Sequence, residues 1–169
     1  DPNINFISNL EVDFKQNTPT FNAVGDLTNA NLNALQFSNN QIQLTGLLDV
    51  NFTGSNIDNF IGSAKFYNGK LKSTTNTINF DSVSLKSTIT KGNKQIILSS
   101  DDIQASIAGK FNIDQLPNSV QYFLQGYFPN YIKNLKEAPV NQQFSFQVNT
   151  AYFEPYIRIF RSEFSGFNN

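Results

Sequence analysis

The residues of this sequence able to do acid–base or nucleophilic chemistry are few, and their types narrow what that chemistry can be. The chain has no His and no Cys. A Ser-His-Asp triad, a thiol nucleophile and a typical zinc site are therefore out of reach. Carboxylates remain. Asp101 and Asp102 stand together, and Asp49 and Asp58 are the next acids worth pairing. Two acids at the base of one cleft would suit glycoside hydrolysis, and converging acidic oxygens would suit Ca²⁺. Nothing places two acids in one cleft, and no EF-hand spacing occurs. A double Asp between two alternating runs reads instead as a solvated strand break. The chain is not read as an enzyme, and no metal or cofactor is expected. Asn51-Phe52-Thr53 is an N-glycosylation sequon, meaningful only in a eukaryotic secretory context.

Composition sets the frame for these residues. The chain has 169 residues, enough to bury a sizeable core. Apolar residues make up 39% and charged residues only 15%, against roughly 25% charged in an ordinary domain. Asn, Gln, Ser and Thr supply the missing polarity, so the wet surfaces hydrogen-bond without carrying charge. The net charge of −1, with no basic patch, argues against nucleic acid as a partner. Trp is absent while there are 17 Phe, which counts against a sugar-binding platform. No apolar run reaches transmembrane length and the first residues carry no signal-peptide pattern. The whole of 1–169 is read as one segment of a larger protein, whose anchor would lie outside it.

The elements that position the side chains are mostly strands. Gln41–Gly62 sets the pattern: Ile42, Leu44, Gly46, Leu48, Val50 and Phe52 alternate with Gln43, Thr45, Asp49, Asn51 and Thr53, a period of two with one apolar and one wet face. The period then changes. Ser55 with Asp58 reads as a capping box, Ile57, Phe60 and Ile61 as one apolar side, and Gly62 as an αL stop, predicting a short helix over 55–62. Residues 3–14 alternate with a break near Ser8-Asn9, and Phe21–Leu27 is a further strand. Leu32 and Leu35 suit a single helical turn. Asn68-Gly69 signals a hairpin or bulge, and Lys91-Gly92-Asn93 a hairpin turn. Strands are predicted over 78–89, 94–100, 103–111 and 143–149.

The substantial helix is predicted over 114–134, with Asp114 as N-cap, Pro117 in its first turn and a kink or break at Gly126 and Pro129. It is read as a cover packed on the sheet. Pro139 ends the loop that follows. A further helix over 150–161 is predicted from Tyr152, Phe153, Tyr156, Ile157 and Phe160, capped by Thr150. The tail FSGFNN reads as cut off mid-architecture. Even strands without a parallel βαβ signature imply an antiparallel sheet.

Three stretches carry a resemblance. They are LTGLLDVNFTGSNIDNFIGSAKFYNGKL, INFDSVSLKSTI and IILSSDDIQASIAGKFNIDQLPNSVQYFLQGYFPNYI, and the match around them extends over about 21–134. With the G-x-N-I-D-x-F-I-G turn and the FNI-x-x-LPNS-x-x-x-FL helix start as the most specific parts, the sequence resembles the Bacteroidota branch of the TamB family of AsmA-like, bridge-like envelope proteins. Residues 135–169 look like the start of a further strand–helix unit. The resemblance implies a long sheet curved into a U-shaped, taco-like hydrophobic groove. It implies an inner-membrane-anchored protein crossing the periplasm, moving phospholipid towards the outer membrane and supporting outer-membrane biogenesis. An outer-membrane barrel assembly partner would be met through parts of the chain not present here. Asp81-Ser82-Val83 fits the O-glycosylation pattern of exported Bacteroidota proteins, which makes Ser82 a candidate modification site.

On that reading the alternating apolar residues line a groove for acyl chains: Ile42, Leu44, Leu48, Val50 and Phe52, then Val83, Leu85, Ile89, Ile96, Leu98, Ile103, Ile107 and Phe111, then Phe144, Phe146 and Val148. A charge in mid-strip, as in Val50→Arg or Leu48→Asp, should block transport without unfolding the chain, and Asp49→Arg on the wet face should be tolerated. Two other readings stand beside it: a scaffolding β-domain that assists barrel assembly through its edge strands, and a carbohydrate-binding β-sandwich.

Overall fold

The computed structural model describes residues 2–15, 17–132, 142–152 and 154–160. Pro139, Phe153 and the tail 164–169 lie outside them. The strands are β1 (Ile4–Asp13), β2 (Thr20–Asn31), β3 (Ile42–Thr53), β4 (Ile61–Ser73), β5 (Thr77–Thr90), β6 (Asn93–Ser100), β7 (Ile103–Lys110) and β8 (Gln143–Thr150). They form one eight-stranded sheet in the order of the sequence, every neighbouring pair antiparallel. Helix α1 (Leu116–Tyr127) lies between β7 and β8, and α2 (Glu154–Phe160) follows β8. The sheet is an antiparallel meander that is neither closed nor strongly curled.

Register puts the alternation of the sequence onto two faces. Leu10, Ala23, Val50, Ala64, Leu85, Leu98, Ala105 and Val148 oppose one another in a single row across all eight strands. Directly opposed residues share a face, so this row is continuously apolar. One residue along, the row on the other face reads Asn9, Val24, Asp49, Lys65, Ser84, Ser99, Gln104 and Asn149. With strands about 4.8 Å apart, each row runs about 34 Å.

Little of the apolar face is buried. Among the described residues the buried hydrophobic side chains are Ala30, Ile42, Leu71, Phe111 and Ile159. Ile42, Leu71 and Ile159 form one cluster, with Leu32, Leu44, Ile78, Phe80 and Tyr156 against it. Helix α2 makes this cluster by laying Ile159 on β3 and β4. The side-chain amide of Asn40 holds the helix end by donating to the carbonyls of Ile159 and Phe160. Tyr156 Oη donates to Asp102 Oδ2 at 2.9 Å.

Several local expectations need correction. Residues 55–62 form no helix. Asn59 Oδ1 accepts the backbone N–H groups of Ser55 and Asn56, and Asn56 Oδ1 accepts those of Asp58 and Asn59. These amides satisfy the backbone in a compact turn, competing successfully with a helix. Ser55 partners Asn59, so it forms no capping box with Asp58. Gly62 is no helix stop. It lies in β4 at φ 144°, and a Cβ there would come within 2.2 Å of the Asn51 carbonyl oxygen, so glycine is required for the close approach of β4 to β3.

Strand β1 runs unbroken through Ser8-Asn9. Thr150 ends β8 and does not cap α2. Asp114 does not cap α1 either: Gln115 is the N-cap residue, without a side-chain cap bond. Helix α1 stops at Tyr127, and Phe128–Ile132 makes a separate turn closed by an Ile132 N–H to Phe128 carbonyl bond, which is the break expected near Gly126 and Pro129. None of the residues of α1 is buried, so it is no packed cover for the sheet.

Asn68-Gly69 makes a bulge and not a hairpin. The register of β3 on β4 slips between Thr45 and Leu47, with Asn68 at φ 51°. Beyond it, Gly69 opposes Phe80, whose ring would sit 2.0 Å from a Cβ at that position. Lys91 and Gly92 both take positive φ, 50° and 78°, the backbone of a tight two-residue hairpin.

Candidate functional site

The structure brings the whole predicted strip onto the apolar face. Leu48 opposes Phe66, which opposes Val83. Phe52 and Ile96 lie in one row with Ile107 and Phe146, and Ile103 opposes Thr150. Phe111 continues past β7 and meets Phe144 edge-on, ring centroids 6.0 Å apart. Ile89 ends the strip opposite Lys94. The middle of the strip is half-buried, with no second layer above it among the described residues, and Val148 and Phe146 at the β8 edge are exposed.

The same face holds residues the sequence reading did not assign to it. Leu10 and Val12 on β1, Phe21 and Ala23 on β2, and Ala64 and Phe66 on β4 complete the rows. For β1 and β2 the alternation itself was the signal. In β4 the bulge at Asn68-Gly69 shifts the phase between Phe66 and Leu71, which hides the pattern.

Each end of the face carries a raised rim. At one end α2 covers Ile42 and Leu71. At the other, the β3–β4 loop folds back over the sheet. The Oγ of Ser87, fully buried in the apolar row, donates to the Phe60 carbonyl at 2.9 Å. The loop and sheet border an open apolar pocket of about 400 Å³ between Phe21, Val50, Phe52, Ile57, Phe60 and Ala64, with the Phe21 and Phe52 rings stacked 4.8 Å apart. Its volume is within the usual range of about 300–1,000 Å³ for ligand pockets.

Among the described residues one charged side chain of the strands sits on the face, and it is paired. Lys94 is only 7% exposed, with Nζ 2.8 Å from Asp58 Oδ1 and 5.0 Å from the centre of the Phe111 ring. Asp58 Oδ1 also accepts the Ile113 N–H at 2.6 Å. The hydrogen-bonded Lys94 ammonium holds the Asp58 carboxyl below the usual carboxylate range. Partial burial opposes that shift and the Ile113 N–H adds to it.

The acidic pairs weighed above do not form sites. Asp49 is on the polar face opposite Lys65, whereas Asp58 reaches over the apolar one. Asp102 is the acceptor for Tyr156, whose phenol is pushed up to about 12, first by burial and then by that bond. Among the described residues, no group of three or more acidic side chains converges as metal ligands. Ser82 is half-buried in β5 opposite Tyr67, on the polar face, with Asp81 exposed beside it. The amide-rich face is otherwise knit across strands, as where Asn51 Nδ2 donates to Asn22 Oδ1 at 2.6 Å.

Among the described residues, fold and site together define a single-layer antiparallel sheet with one apolar face left mostly uncovered, rimmed at both strand ends. No family model, no curated protein and no solved structure matches the chain. Among the described residues no helix is long and apolar enough to cross a membrane.

Proposed function

We propose that this chain is a groove segment of a TamB-like envelope protein, shielding phospholipid acyl chains on its apolar face between the inner and outer membranes. The role is non-enzymatic. Further strands of a longer protein would continue the sheet and supply the deeper U-shaped curvature, the membrane anchor and the contact with a barrel assembly partner.

The observation that carries this reading is the uncovered apolar row from Leu10 to Val148, in register over eight strands. A methylene moved from water onto such a surface gains about 0.8 kcal/mol, so partial cover of an acyl chain is strongly favourable. The row crosses the strands, so a chain lying along it meets no hydrogen-bonding side chain over about 34 Å. The pairing of Lys94 with Asp58 supports the same reading, because an unpaired charge on this face would have to be desolvated whenever a chain passed.

Photo-crosslinking in cells tests it. A photoreactive residue at Leu98 should capture phospholipid, and one at the neighbouring Ser99, on the polar face, should not. Equal capture at both positions, or none at Leu98, refutes the groove.

The outer edges of β1 and β8 favour a second reading. Each pairs on one side only among the described residues, and an open edge can take an added strand. Crosslinks from β1 or β8 to another polypeptide, with none to lipid from Leu98, would select a scaffolding role. A sugar-binding sandwich needs a second sheet facing the first, and the described residues form one sheet.

A further inference from the structure

The Gly54–Gly62 turn forms a rim of the groove, yet its bonding is more elaborate than a rim requires. Its interior is self-contained, with Asn59 tied to Ser55 by both backbone and side chain. Phe60 attaches it to β5 through Ser87. The Gly54 N–H ties its start to the Pro19 carbonyl at 3.1 Å, and Asp58 reaches Lys94 on β6 and Ile113 ahead of α1, 36 and 55 residues along the chain. Both bonds end on the same oxygen, Oδ1. Among the described residues Lys94 has no other ion pair, so losing Asp58 leaves a buried ammonium beside the Phe111 ring.

We propose that residues 54–60 are a strap across one end of the apolar face and that Asp58 is its latch, closing the strap and the start of the α1 segment together. The inference rests on the groove reading and adds regulation to it. While the latch holds, Ile57 and Phe60 stand beside Phe21 and Ala64 and narrow the open pocket there. When it opens, that end of the face widens. Coupling follows from the shared oxygen. A displacement of Asp58 that breaks the Lys94 bond also removes the acceptor of Ile113, so the strap and the approach to α1 loosen as one unit. The depressed pKa of Asp58 agrees with a carboxylate that is held charged and paired.

Amide hydrogen exchange on the full chain tests the latch. In Asp58→Ala, exchange should rise about tenfold or more in both 55–60 and 113–119, the effect expected when a charge-assisted bond of local structure is lost. Amides of β3 and β5 should keep their protection. Asp58→Asn retains an acceptor for Ile113, so it should loosen 55–60 more than 113–119. Unchanged exchange in either segment of Asp58→Ala, or an equal rise over the whole sheet, overturns the proposal. A second measurement reads access: a photo-crosslinker at Ala64, in the pocket, should capture more lipid in Asp58→Ala than in the parent, while capture at Leu98 stays constant. Constant capture at both positions, with exchange raised, overturns the gating role. Absence of capture everywhere refutes the groove reading, and the exchange result still decides whether the latch exists.

Discussion

Placing an arginine at Leu98 separates an open apolar face from a sealed core. Leu98 lies in mid-strip between Leu85 and Ala105, is half-buried, and has no layer above it among the described residues. Complete burial of a leucine is worth about 1.5–3 kcal/mol, so a half-buried one forfeits about 1 kcal/mol when replaced. Part of that returns, because the arginine stem can lie over Leu85 while the guanidinium stands off the sheet in water. The expected loss for Leu98→Arg is therefore about 1 kcal/mol or less. With a urea slope of about 1–3 kcal/mol per molar, the unfolding midpoint should move by no more than about 1 M.

Ile42→Arg is the contrast. Ile42 is wholly inaccessible in the cluster with Ile159 and Leu71, so its guanidinium cannot reach water unless α2 detaches. Burying an unpaired charge costs several kcal/mol. Urea titration followed by circular dichroism reads both variants, and the lipid-capture assay reads Leu98→Arg for transport. A folded Leu98→Arg that no longer yields captured lipid is the expected result. If Leu98→Arg unfolds as readily as Ile42→Arg, the strip is a sealed core and the reasoning fails.

Two further expectations follow from the strap and its strand. The folded-state pKa of Asp58 lies below its ordinary 3.8, so its contribution to stability is complete above that value and is lost as pH falls through the depressed one; exchange in 55–60 should rise only in that acid range, and Asp58→Asn should remove the dependence. Gly62→Ala forces a Cβ to within 2.2 Å of the Asn51 carbonyl oxygen at φ 144°, so thermal unfolding should show a loss of about 2 kcal/mol or more, where an alanine at the exposed Gly126, with nothing near its Cβ, should not destabilise.

What was legible in the sequence was the alternation. In β3 and in β5 to β8 the period of two places each strip residue on the face it occupies, because register follows from pleat and turn once the neighbours are antiparallel. The turn at 55–62 was misread for a local reason. Ser55, Ile57, Phe60 and Ile61 have helical spacing, but Asn56 and Asn59 offer the backbone closer acceptors than a helix would. Helix α1 has the apolar periodicity of a packed helix, yet its Leu116 and Leu124 are only half-buried, since amphipathicity specifies a face and not a partner. The union of Asp58 with Lys94 had no local signature. It arises because one loop folds over two strands, and no period in the chain encodes that.

The meander has a consequence for how the chain folds and holds together. Each strand touches only those beside it in sequence, so most contacts close short loops and ordering can spread hairpin by hairpin from any point. Such an array would fray from its outer strands, as solenoids do. Of the long-range bonds, the one from Asn40 to Phe160 joins residues 120 apart. Through it the last helix returns to the third and fourth strands, and the loss of the β8 edge is felt inside the sheet. That clasp turns a row of separable hairpins into a unit able to melt as a whole.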